Sequence, residues 1–222
     1  MTTGRGPFRR GGKVRALLAA ALAACLCGCI SVFPKEKPAQ LYRFGDHAAA
    51  TAEAQAGPAG SAAGPAFLVR ARIGAFDRAS AGDRILTAQG DERAYIAGAR
   101  WVEPATTLVE AALRTAFEPS APARLLAPGD LAAADARLAL DVRTFEVRYP
   151  VHGTGKAPVI VVRIDAELEG AKPPFARSER LFDIETPAKA DSVGAIVEAF
   201  DGAVGEALGQ IVAWTNASRP AA

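Results

Sequence analysis

Beyond residue 29 the sequence contains no cysteine; the three it has are Cys25, Cys27 and Cys29. A chain beginning at Cys29 would keep one thiol, so no disulfide can form within it and its fold must rest on a buried core. Histidine is almost as scarce. His47 and His152 are the only two, and neither has a cysteine or carboxylate at ligand spacing, which argues against a metal centre. No acidic residue precedes Glu36, and the Ala/Leu-rich run from Val14 to Leu26 is too short to cross a bilayer as a stable helix. Candidate nucleophiles are missing as well. Gly60-Ser61-Ala62-Ala63-Gly64 misplaces its serine for a nucleophile elbow and lacks the flanking strand and helix. Gly153-Thr154-Gly155-Lys156 has neither the spacing nor the following helix of a phosphate loop.

What the first 29 residues do contain is a secretion and lipidation signal. Arg5, Arg9, Arg10, Lys13 and Arg15 form a positive start, the apolar run follows, and Leu26-Cys27-Gly28-Cys29 closes it. Small side chains before a cysteine fit a lipoprotein signal peptidase, which would leave an acylated Cys29 as the new N-terminus. Leu22-Ala23-Ala24-Cys25 is a rival site, so Cys25 is the alternative lipidated residue. Residues 1–28 are thus expected to be a signal peptide. Their removal takes away five basic residues and turns 26 basic against 24 acidic into a net charge near −3. A nucleic-acid partner is then not supported by charge. Ile30 rather than aspartate follows Cys29, which favours sorting to the outer membrane.

The rest divides into residues 29–66, expected to be a lipidated tether, a short first strand and a mobile Ala/Gly-rich loop, and an α/β domain over 67–218. Two prolines at 34 and 38 suit an extended tether. Leu41-Tyr42-Arg43-Phe44 alternates like a strand, and 46–66 is almost wholly Ala, Gly, Pro, Thr, Ser and Gln, too poor in apolar bulk to offset ordering. Phe67, Val69, Ala71 and Ile73 share one strand face, and weaker strands follow at 84–88 and 94–99. Pro104 opens a helix whose stripe is Val109, Ala112, Leu113, Ala116 and Phe117, and Pro119 ends it.

Leu138, Leu140 and Val142 alternate on one parity while Phe145, Val147 and Tyr149 take the other, which predicts a bulge near Thr144. Ile160 to Leu168 forms the clearest strand, joined to the preceding one as a hairpin through 151–158, and 180–184 gives another. Asp165, Glu167 and Glu169 line its polar face, with Arg143, Arg148 and Arg163 as partners across the hairpin.

A long helix closes the chain, from about Ser192 to Thr215, with Asp191 as its N-cap. Val193, Ile196, Val197, Phe200, Val204, Ala207, Leu208 and Ile211 form its core face. Gly194, Gly202, Gly205 and Gly209 fall within an arc of about 80°, roughly 140° from the centre of that face. Either another element approaches this flat stripe closely, or the glycines reflect an Ala/Gly-rich composition. The candidate interface residues are Gly202, Gly205 and Gly209 together with Trp101 and Trp214. Trp101 has a rival role in stapling a helix entry to the core.

In order along the chain, Cys29-Ile-Ser-Val-Phe-Pro34, Leu41-Tyr42-Arg43-Phe44, Asp83-Arg84-Ile85 and Ala99-Arg100-Trp101-Val102-Glu103-Pro104 resemble the auxiliary lipoproteins of MCE-type ABC transporters, which include the outer-membrane lipoprotein of the Pqi system. Members of that family show a lipid cysteine, a serine and proline soon after it, a Tyr-x-Leu-like strand and an Arg-Trp-x-x-Pro step into a helix. This chain departs in having Phe44 where leucine is commoner and in its long Ala/Gly segment.

The resemblance implies a three-layer α/β domain with a mixed sheet and packed helices, similar to the N-terminal domain of TolB. It also implies a non-enzymatic role without cofactors in moving lipid between membranes. The expected partners are an MCE-domain protein with its inner-membrane permease and ATPase, the outer membrane through the lipid anchor, and further copies of the chain. The alternative is a structural outer-membrane lipoprotein serving envelope integrity or assembly.

Overall fold

A computed structural model describes residues 38–48, 50–51, 67–119, 122–151, 157–171 and 177–218. All of them belong to the second of two units, Pro38–Ala222. The signal segment, Cys25, Cys29, the tether up to residue 37, most of the Ala/Gly segment, and the hairpin turn with His152 lie outside the described residues.

The elements are β1 (Gln40–Tyr42), β2 (Phe67–Phe76), β3 (Arg84–Gln89), β4 (Glu92–Trp101), α1 (Ala105–Phe117), β5 (Ala123–Leu125), β6 (Ala136–Arg148), β7 (Val159–Gly170), β8 (Arg177–Pro187) and α2 (Val193–Ala217). The eight strands make one mixed sheet. β6 organises it. One edge of β6 pairs antiparallel with β7 along nearly its whole length, and β7 pairs in turn with β8. The other edge is shared: β2 runs parallel to its first half, and β3 takes over at Val147 and Arg148. β5 lies beyond β2, while β4 and then β1 lie beyond β3.

The parity change read from the sequence is where β6 shifts register against β7, between Val142 and Thr144. One extra residue there lets Leu138, Leu140 and Val142 before the bulge, and Phe145 and Val147 after it, all point into the same core. Without it, every residue past Val142 would turn its other face to the core.

The α/β class, mixed sheet and long closing helix are as expected. Both described helices lie on one face of the sheet: α2 crosses β7 and β8, α1 crosses β2 and β5, and the two touch each other. The opposite face carries charged rows and no described helix, so the described residues make one helical layer on one sheet layer. α1 buries the stripe foreseen for it and adds Ala105 and Leu108. α2 begins one residue later than expected and is capped by Ser192, whose Oγ accepts from the Ala195 N–H at 3.4 Å. Asp191 instead accepts from the Tyr149 hydroxyl at 2.9 Å.

The core centres on aromatic rings. Phe44, Trp101, Phe145 and Phe200 meet in one cluster, with centroid distances from 4.9 to 6.4 Å. Edge-to-face and tilted contacts of this kind each add about 0.5–1.5 kcal/mol beyond area burial. Phe44 comes from outside the strand predicted for it: β1 stops at Tyr42, and the chain then turns inward.

Candidate functional site

The segment that follows β1 carries the most specific geometry. Phe44 fills the aromatic cluster, and Gly45, at φ +95°, lets the chain turn beneath α1. A side chain on Gly45 would be obstructed, since a Cβ there would lie 2.7 Å from the Ala112 Cβ. The Gly45 N–H donates to Asp201 Oδ1 of α2 at 2.6 Å, and the other Asp201 oxygen meets His47 Nδ1. This pairing holds the His47 pKa above its ordinary 6.5, through the hydrogen bond first and the charge of Asp201 second. Ala48 is fully buried, and the Thr51 N–H closes a helical turn onto His47 O at 3.0 Å. The start of the segment expected to be a mobile loop is therefore clasped between the two helices.

The clasp also accounts for one candidate glycine. Gly205 is buried beneath Thr51, whose Oγ1 would stand 2.9 Å from a Cβ at that position. At Gly205 the element that approaches is Thr51 of the chain itself. Gly209 is also buried, while Gly202 is exposed with open space around it. Trp101 is 2 % exposed inside the aromatic cluster, its structural role of the two weighed. Trp214 is 9 % exposed and meets Phe182 edge-on at 5.8 Å.

The open face of the sheet is a second candidate. Across it, Asp141 stands opposite Asp165, and Glu167 opposite Glu179. Like charges in direct register repel, and one arginine offsets each pair. Arg143 reaches Asp165 at 2.7 Å and Asp141 at 3.7 Å, and Arg177 reaches Glu179 at 2.8 Å and Glu167 at 3.0 Å. Of the partners expected for the acidic row, Arg143 is found there. Arg163 turns instead to Asp183 at 2.8 Å, and Arg148 to Glu146 at 3.0 Å. Hydrogen bonds to Asp183 and Glu179 raise the pKa values of Arg163 and Arg177 respectively.

Between these rows lies a shallow depression of about 420 Å³ floored by Ala139 and Ala166. Its charges are mostly exposed pairs, which contribute about 0–1 kcal/mol each. Outside the depression, Glu146 is buried at 6 % exposure between Arg148 and Arg93. Just past the end of β6, on the core side, burial first and the Asp191 bond second push the Tyr149 hydroxyl up to about 12.

Among the described residues no group of His, Cys, Asp and Glu is placed to hold a metal ion, and no helix is long and apolar enough to cross a membrane. Most of the charged groups named on the open face are paired with one another, an arrangement suited to a polar surface. Asp201 was the residue missed by sequence reasoning. Glu198 and Glu206 lie in the same helix, so a carboxylate at 201 carried no distinguishing signal.

Comparison with known proteins fits this geometry. Protein XCC0632 from Xanthomonas campestris, of the DUF330 family, superposes with a TM-score of 0.59 at 25% identity, covering 69% of this chain and 85% of its own. A second solved structure, of an uncharacterized protein, gives a TM-score of 0.55 at 17% identity, covering 67% of this chain and 92% of its own. It supports the fold alone. No curated protein matches. The family described as ABC-type transport auxiliary lipoprotein component matches residues 50–212, which takes in β2 to β8, α1 and most of α2. On that match the chain belongs to the ABC-type transport auxiliary lipoprotein family, a family of membrane-anchored transport components rather than of enzymes.

Proposed function

We propose that this chain is the outer-membrane lipoprotein subunit of an MCE-type system that moves phospholipid between the two membranes of a Gram-negative envelope. The observation that carries the reading is the family match over residues 50–212, joined to the lipidation signal ending at Cys29. Acylated Cys29 anchors the chain, and multiple acyl chains hold far more firmly than one, which by itself binds only marginally. The domain then works by docking against an MCE-domain protein that reaches across the periplasm from its permease and ATPase. A short tether supports this role: eight residues separate Cys29 from Pro38, and the nine steps between them can span at most about 30 Å. The clasp at Asp201 fixes the chain just beyond Pro38, where the domain begins.

The test is a mild-detergent pull-down of the tagged full-length protein, with Cys29→Ala as the control. Recovery of an MCE-domain protein with a permease and an ATPase is the expected result, and the control shows whether anchoring is needed for assembly. Recovery of only outer-membrane assembly or peptidoglycan-linked proteins would replace the transport reading with the structural one.

A further inference from the structure

β2 is covered on one side for only part of its length. β5 pairs with Phe67, Leu68 and Val69 and goes no further. After the Leu126 N–H bonds Val69 O at 2.9 Å, the chain leaves the edge. Its departure is built into the fold. Gly129 turns at φ +81°, and Arg70 Nη2 holds the carbonyls of Asp130 and Ala132 at 3.0 and 2.9 Å.

The direction of the vacated backbone groups follows from strand parity. Phe67 N–H and Val69 C=O point towards β5, whereas Leu68 C=O points the other way, to the Asp135 N–H. Ala71 and Ile73 therefore turn their N–H and C=O groups to the side β5 has left. Among the described residues nothing pairs with them.

Beside this edge lies a groove of about 120 Å³ with apolar walls from Ile73, Leu113, Leu125 and Leu126. Pockets for whole small-molecule ligands are typically about 300–1,000 Å³, so this one suits a single aliphatic side chain. Its rim is basic. Arg72 is exposed and has no carboxylate partner among the described residues, Arg70 is bound to carbonyls, and only Arg114 is neutralised, by Glu110.

We propose that this edge receives an extended acidic segment of a partner protein by strand addition. The segment's backbone pairs with Ala71 and Ile73, one aliphatic residue enters the groove, and flanking carboxylates face Arg72 and Arg70. The free edge supplies affinity for any extended chain, and the basic rim selects an acidic one. This inference does not depend on the transport reading.

The test uses the full-length protein in mild detergent and a fluorescein-labelled peptide, Thr-Asp-Val-Asp-Val-Glu-Thr, with a counterpart in which lysine replaces each carboxylate residue. Anisotropy reports binding, and hydrogen exchange at the Ala71 and Ile73 amides reports where it occurs. The acidic peptide is expected to bind and to slow exchange at both amides. Ala71→Pro removes one outward donor at an edge position that tolerates proline, and Arg72→Glu reverses the rim charge. Each is expected to weaken binding by about tenfold or more. Should Ala71→Pro lower the thermal midpoint, a peptide N-methylated at alternate residues takes its place and must fail to bind. Absence of binding, equal binding of the lysine peptide, or unchanged exchange at Ala71 and Ile73 would each overturn the proposal.

Discussion

Replacing Gly45 by alanine tests the clasp directly. Two costs meet at this position. A Cβ at φ +95° is strained by about 1–2 kcal/mol. It would also sit 2.7 Å from the Ala112 Cβ, and overpacking of this kind in a filled core costs about 1–3 kcal/mol. If the segment stays docked, the two together destabilise the fold by about 2–5 kcal/mol. The alternative is for the segment to undock, which forfeits the burial of Phe44, worth about 1.5–3 kcal/mol. The smaller cost prevails, so a loss of about 2–3 kcal/mol is expected, or roughly 4–12 °C in thermal midpoint for a domain of this size. Urea denaturation followed by tryptophan fluorescence is the assay, because the Trp101 ring lies 4.9 Å from that of Phe44. Ala112→Gly is the partner substitution. Alone it costs about 1 kcal/mol in helix propensity, but it removes the atom that clashes, so the two changes should couple favourably by at least about 1 kcal/mol. A Gly45→Ala protein within about 0.5 kcal/mol of the parent, or a pair with no coupling, would refute the argument.

Three further outcomes follow from the same contacts. His47 has a raised pKa in the fold, so its pairing with Asp201 contributes fully below about pH 6.5 and fades as the pH rises through the raised value; a pH series of thermal midpoints should show this slope, and Asp201→Asn should abolish it. Tyr149 titrates near 12 in the fold against 10.0 unfolded, so stability should fall between those values as the unfolded chain ionises first, and less steeply in Tyr149→Phe; alkaline unfolding followed by circular dichroism measures it. Phe200→Ala opens a cavity where three other rings converge and should cost about 3–5 kcal/mol in denaturant unfolding.

Much of this fold could be read from period alone. The inward rows of β6 and β7, the bulge between them and the buried stripe of α1 each repeat a local pattern over several residues. What periodicity could not reveal was which distant segments meet. Nothing near Asp201 in the chain signals that its carboxylate receives Gly45 and His47, because that contact depends on where α1 and β1 leave the intervening chain. The cap of α2 was misplaced by one residue for a related reason. Asp191 and Ser192 are both good caps, and it is the distant Tyr149 hydroxyl that takes Asp191. The stripe of small residues on α2 could be read either as a surface of close approach or as Ala/Gly-rich composition, and the sequence did not decide between them. At Gly205 the answer lies in Thr51, which sits in a segment whose composition reads as loop.

The clasp also has a consequence for the order of assembly. Closing a contact between distant residues costs more chain entropy as their separation grows, so folds dominated by such contacts form slowly. β2 and β3 have no place in the sheet until β6 exists, since Leu68 waits for Asp135 at a separation of 67 residues. Gly45 waits longer still, for Asp201 at a separation of 156. Hairpin β7–β8 and helix α1, built from neighbours, can form early. The turn that follows β1 is thus fixed last, after the final helix has arrived, so the two ends of the described fold are joined only when the rest of the domain is made.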